Sequence, residues 1–157
     1  TLAGPVIANL KVSNSGTDAD FVVKVIDVFP DNFQYSEANS SPTGRSGVAS
    51  YPMNGYQMLV RGEIMRGKFR NSFTTPEPFK PNKIETVEFA LPDVAHTFKK
   101  GHRLMIQVQS SWFPLADRNP QQFMNIYEAK PEDFKKATIK IYHDGSNSSS
   151  VSLPIMR

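Results

Sequence analysis

The stretch FKKGHRLMIQVQSSWFP, residues 98–114, decides the fold class. It opens on a Lys-Lys-Gly turn and then sets Leu104, Ile106 and Val108 on one parity against Arg103, Met105, Gln107 and Gln109 on the other. That period-two alternation is the signature of a half-buried β-strand. The strand stops at Ser110 to Pro114: Pro114 has no amide to give to a ladder, and Trp112 and Phe113 place large apolar surface beside the chain exit.

Working outward, the same pattern recurs. Val6 to Ser13 alternates and ends in the Asn-Ser-Gly-Thr-Asp turn at 14–18. Phe21 to Phe29 is apolar on both parities apart from Lys24 and Asp27, as expected of a central strand covered on each side, and Pro30 stops it. Tyr56 to Phe73 reads as one long bent strand with a bulge marked by Gly62 or Gly67, introduced by the Asn54-Gly55 turn. Pro76, Pro78 and Pro81 make a rigid extended connector to a strand over Ile84 to Leu91. Asp93 to Phe98 is read as at most one helical turn. Pro131 to Lys136 is read as a short helix, with proline at its first position and acids before lysines. Thr138 to Tyr142 and Val151 to Met156 end the sequence as strands, and residues 32–54 form a long loop. About eight strands, one short helix and no repeat period imply an all-β sandwich or jelly roll.

A length of 157 residues fits a single domain over 1–157, and 39% hydrophobic with 21% charged residues is an ordinary folded composition. The 18 basic residues are nearly matched by 15 acidic ones, so the net charge of +3 gives no footprint for nucleic acid. No apolar run is long enough to span a bilayer as a helix. The absence of cysteine excludes disulfides and thiolate metal sites but leaves the compartment open, cytoplasmic or secreted and periplasmic. A sequence beginning at Thr1 reads as a mature product or a piece of a longer protein.

Catalytic motifs are missing. The nearest string to a Gly-x-Ser-x-Gly elbow, Gly44-Arg45-Ser46-Gly47, has the wrong spacing and no strand before it. His96 and His102 lack a third histidine nearby, unlike zinc patterns, and read as hydrogen-bonded structural residues. Asp18 and Asp20 are weak candidates for a hard cation such as calcium, set against a turn in which Asp18 caps backbone amides. Arg61, Arg66, Lys68 and Arg70 form a basic set, but Glu63 interrupts it and no stacking aromatics interleave, so a carboxylate-paired strand face is the better reading. Tyr51, Tyr56, Trp112, Phe113 and Phe123 are candidates for a sugar-stacking platform or for interface anchors. Asn39-Ser40-Ser41 and Asn147-Ser148-Ser149 match the glycosylation pattern, a common chance match in serine-rich loops. No catalytic residue, metal or cofactor is expected.

Several strings together resemble a known family. Thr17-Asp18-Ala19-Asp20-Phe21, Lys24 to Asp31, Arg61-Gly62, Arg66 to Arg70, Gly101-His102-Arg103, Ser110 to Pro114 and Asp117-Arg118-Asn119-Pro120 resemble, in order, one C-terminal domain. It is that of the X-Pro dipeptidyl-peptidase, cocaine esterase and α-amino acid ester hydrolase family. The resemblance implies a galactose-binding-like jelly roll that follows an α/β-hydrolase domain, with the Ser, Asp and His of the triad in that other domain and none here. Gln121 and Gln122 depart from the family's common Asn-Thr-Gly run. The implied role is a non-catalytic partner of the hydrolase domain in the same polypeptide, helping to wall the substrate cleft. Trp112, Phe113, Asp117, Arg118 and Asn119 are then the candidates for the interface or cleft wall. No nucleic-acid or membrane partner is implied, and oligomerisation stays open. The rival readings are a free-standing carbohydrate-binding module and a calcium-stabilised adhesive domain.

Overall fold

A computed structural model of the protein describes residues 1–33 and 53–156. Most of the 32–54 loop, including Gly44 to Gly47, Asn39 to Ser41 and Tyr51, lies outside the described residues.

Seven strands are found among the described residues: β1 (Leu2–Asn14), β2 (Asp20–Val28), β3 (Gln57–Arg66), β4 (Glu85–His96), β5 (Arg103–Gln109), β6 (Ile139–Tyr142) and β7 (Ser150–Ser152). All pairings are antiparallel. One sheet runs β4-β1-β6, with β7 also on β1, and the other runs β3-β2-β5. The polypeptide crosses between sheets after β1, β3, β4 and β5, and the two sheets close a β-sandwich over one core. Alternation supplies that core: Val6, Ala8, Leu10 and Val12 from β1 and Val87, Phe89 and Leu91 from β4 meet Phe21, Val23 and Val25 from β2. Ile106 and Val108 of β5 pack against it from the edge.

Local chemistry shifts several expected boundaries. The strand expected over Ile84 to Leu91 runs on to His96, where a helical turn was expected. Its Pro92 falls at the irregularity opposite Gly4 to Val6, where the ladder needs no amide from it. β3 ends at Arg66 rather than Phe73, because Gly67–Phe69 turn as a 3-10 helix. The bulge in the β2 and β3 ladder lies at Val25 and Ile26, not at Gly62. The helix expected over Pro131 to Lys136 is a single 3-10 turn, Pro131–Asp133, with Asp133 accepting the Lys130 amide. The last strand shortens to Ser150–Ser152, followed by a bridge from Leu2 to Ile155.

Two polar hubs fix the joints. Arg70, almost wholly buried, pairs with Glu85 at 2.5 Å, donates to the carbonyls of Gly67, Glu77 and Pro78, and lies 4.2 Å over the Phe79 ring. The proline connector is thereby wound around one guanidinium, whose rigid fork suits several acceptors at once. At the other end, the buried Asp27 of β2 is bonded at 2.8 Å both to His96 of β4 and to His102 after the β4–β5 turn. His96 thus ties one sheet to the other, and His102 fixes the entry into β5.

Gly67 sits where packing is tightest. A Cβ there would lie 2.4 Å from the Phe79 ring and 2.6 Å from the Ala19 carbonyl oxygen. Gly67→Ala is expected to lower unfolding free energy by about 1–3 kcal/mol, the usual range for overpacking a rigid core. Denaturant unfolding of the two proteins checks this, and an unchanged midpoint would contradict it.

Candidate functional site

The segment leaving β5 is pinned at both ends and exposed between them. Odd residues of β2 face the core, so Lys24 projects from the outer face of its sheet, beside Gly62 on β3. Trp112 folds back over this spot, with the Lys24 ammonium 4.4 Å from its ring. Gly62 is required here because a Cβ would stand 2.7 Å from the indole. One face of Trp112 is therefore spent on its own sheet.

After a turn closed by the Ala116 amide on the Trp112 carbonyl, the backbone presents Phe113 and Leu115 at 63% and 71% exposure. Asp117 and Arg118 are both exposed. The Arg118 guanidinium lies 5.6 Å over Phe113 and 5.3 Å over Phe134, so that it joins two separate segments into one surface.

Asn119, in contrast, is buried. Its amide donates to Asp20 Oδ1 at 2.9 Å, and its oxygen accepts the Gln121 amide at 2.8 Å. Gln121 has φ 65° and offers its carbonyl to Thr17, Phe123 donates to the Thr17 hydroxyl, and Met124 accepts from Lys68. Gln122 reaches the Asp133 carbonyl at 2.9 Å. The two glutamines that depart from the resembled run are thus clasp residues, one through its backbone and one through its amide. The Asp20 to Asn119 contact spans 99 positions. No local pattern announced it, although an aspartate at the head of an apolar strand is a signal that a buried partner is needed.

The clasp holds two carboxylates out of water. Burial pushes Asp18 up from the ordinary carboxylate value, against the opposing effects of Asn119, the Ala19 amide and Lys68. Burial likewise pushes Asp20 up to about 6, although Asn119 and Arg66, whose guanidinium lies at 3.2 Å, favour its charge. Asp18 accepts the Ala19 amide through one oxygen, and the other is buried outside hydrogen-bond geometry. Among the described residues no group of three or more histidines or carboxylates is arranged to hold a metal ion.

The other candidates are dispersed. Arg66, Lys68 and Arg70 of the basic set are bonded to Asp20, the Met124 carbonyl and Glu85. Tyr56 packs edge-on against Phe29. A groove of about 540 Å³ between β3 and β4 is lined by Glu63, Met65, Phe69, Phe73 and Phe89, with Ser72 on its wall and no histidine among its lining residues.

Comparison with known proteins places the whole sandwich. Residues 1–152 match the model of the X-Pro dipeptidyl-peptidase C-terminal non-catalytic domain. The protein belongs to this family. It is 29% identical over 156 residues to the cocaine esterase of Rhodococcus sp. (strain MB1 Bresler), a match covering 99% of this chain and 23% of that enzyme. An α-amino acid ester hydrolase structure superposes with a TM-score of 0.84 at 43% identity, covering 99% of this chain and 24% of the other. An aminopeptidase from a marine sediment Thaumarchaeota archaeon gives 0.84 at 41% identity, covering 99% and 23%. The sequence thus spans about a quarter of the length of these relatives. As a member of the X-Pro dipeptidyl-peptidase C-terminal family it is a non-catalytic domain of a kind found as one part of larger hydrolases.

Two outcomes test the clasp and the tryptophan shelf. With a folded value near 6 against 3.8 for the free side chain, Asp20 favours the folded state fully below about pH 3.8, and that contribution is lost as pH rises through 6. Asp20→Asn is expected to flatten stability between pH 4 and 7 by up to about 3 kcal/mol, read as the difference between the two proteins' unfolding curves. An identical pH slope in both would contradict it. Trp112 is the single tryptophan, so Gly62→Ala should red-shift the intrinsic fluorescence as the ring lifts from Lys24. An unmoved emission maximum would rule the shelf out.

Proposed function

We propose that this protein is the ancillary C-terminal domain of a serine hydrolase and packs on the α/β-hydrolase domain of the same polypeptide, where it helps to wall the substrate cleft. The observation that carries the reading is the continuous exposed surface formed by Phe113, Leu115, Arg118 and Phe134, pinned by Trp112 on one side and Asn119 on the other. Aromatic anchors around an arginine, on a backbone fixed in advance, are what the centre of an interface selects, because little conformational entropy is lost on docking. The non-catalytic family supports the same reading: ester or X-Pro amide chemistry belongs to the other domain.

The experiment mixes this domain with its separately produced hydrolase domain and measures association by calorimetry. Phe113→Ala combined with Leu115→Ala is expected to weaken binding by about tenfold or more while leaving the domain's own melting temperature within a few degrees. The domain alone should turn over neither p-nitrophenyl esters nor X-Pro amides. Turnover by the purified domain that a point change abolishes, or association indifferent to the double change, would overturn the proposal.

A further inference from the structure

The docking face contains a cation that no hydrogen bond engages among the described residues. Among the described residues Arg66 and Arg70 pair with carboxylates and His96 and His102 bond to Asp27, and Arg118 is in none of these contacts. Its neighbour Asp117 is likewise in none, and among the described residues no hydrogen bond engages the Arg118 guanidinium. What holds its side chain is the two rings, Phe113 at 5.6 Å and Phe134 at 5.3 Å. Contact with ring faces attracts the cation without using its N–H groups, which stay open to a planar acceptor.

The backbone beneath is equally constrained. Asn119, the next residue, is fixed to Asp20 and to the Gln121 amide. Pro120 accepts from Lys135, which brings the 131–135 turn and its Phe134 against the loop. An arginine held this way loses less rotamer freedom on pairing than a free surface arginine does.

Resting on the docking reading, we infer that Arg118 is a preorganised receptor for a carboxylate, and that the partner surface presents an aspartate, a glutamate or a terminal α-carboxylate opposite it, bordered by apolar side chains that cover Phe113 and Leu115. A carboxylate is the chemistry that two parallel N–H donors match, and its charge complements the open cation of this face. Asn119 and Asp20 are positioning residues for Arg118.

The test has two arms that fail separately. In the first, acetate replaces chloride at constant ionic strength and the Nε–H signals of the arginines are followed by NMR in this domain. Arg103, exposed and outside the ion pairs and ring contacts of the described residues, is the internal control. The Arg118 signal should shift at least about threefold more than that of Arg103, and Phe113→Ala or Phe134→Ala should each remove the excess. Equal response of the two arginines, or an excess that survives loss of both rings, overturns the inference. In the second arm the hydrolase domain is the probe. Arg118→Lys should weaken association nearly as much as Arg118→Ala, about tenfold, because lysine keeps the charge but lacks the fork. Full affinity in the lysine variant overturns the bidentate receptor. A complete lack of association with the unaltered domain, beside a positive acetate arm, instead removes the docking reading and leaves the carboxylate receptor standing.

Discussion

Strand β2 has no solvent side, and the rest of the domain follows from covering it. Every residue from Asp20 to Val28 except Lys24 is buried. Its core parity, Phe21, Val23 and Val25, requires a second sheet, which β1 and β4 provide. Its outer parity carries Val22, Ile26 and Val28, and β3 and β5 flank it on either side. Burying about three such side chains on each face contributes on the order of several kcal/mol. The buried Asp20 and Asp27 at its two ends cost part of that unless partners reach them.

Those partners are what turn a sandwich into this particular domain. Asp27 draws in His96 and His102 from the β4–β5 connection, and Asp20 draws in Arg66 and, from 99 positions away, Asn119. Each buried carboxylate therefore acts as a post to which a distant loop is tied. The second post decides where the backbone leaving β5 can go. The loop must return to Asp20 at Asn119, so Phe113, Leu115 and Arg118 are left outside as a bulging surface, while Lys24 and Gly62 hold Trp112 at its root. The geometry of that surface is set by electrostatics inside the fold.

Much of the fold was legible in the residues. The alternation in β1 and β4 named core side chains, that of β5 held for Ile106 and Val108 but not for the exposed Leu104, and the two-sided apolar pattern of Phe21 to Phe29 identified the central strand. Where the reading erred, a neighbour overrode the local signal. Pro92 reads as a stop, yet an irregular ladder opposite Gly4 accommodates it. Pro131 to Lys136 reads as a helix by charge order, yet it has length for only one turn and is bound to the loop through Gln122 and Pro120. Gly62 reads as a bulge, but it is small for the sake of Trp112, which lies far along the sequence.

The stretch that ends in Ser110 to Pro114 divides the two kinds of information. By itself the sequence determined the β class, the central strand, the family resemblance and the absence of a catalytic elbow, because these depend on periodicity and on short strings whose physics is local. Only the tertiary structure decided that Trp112 lies against its own sheet, that Asn119 is an internal anchor, and that Arg118 rests on Phe113 and Phe134 with no hydrogen bond to its guanidinium among the described residues. Those facts depend on which distant groups meet in space, and a buried charge finds its partner by proximity in the fold, for which the sequence holds no periodic signal.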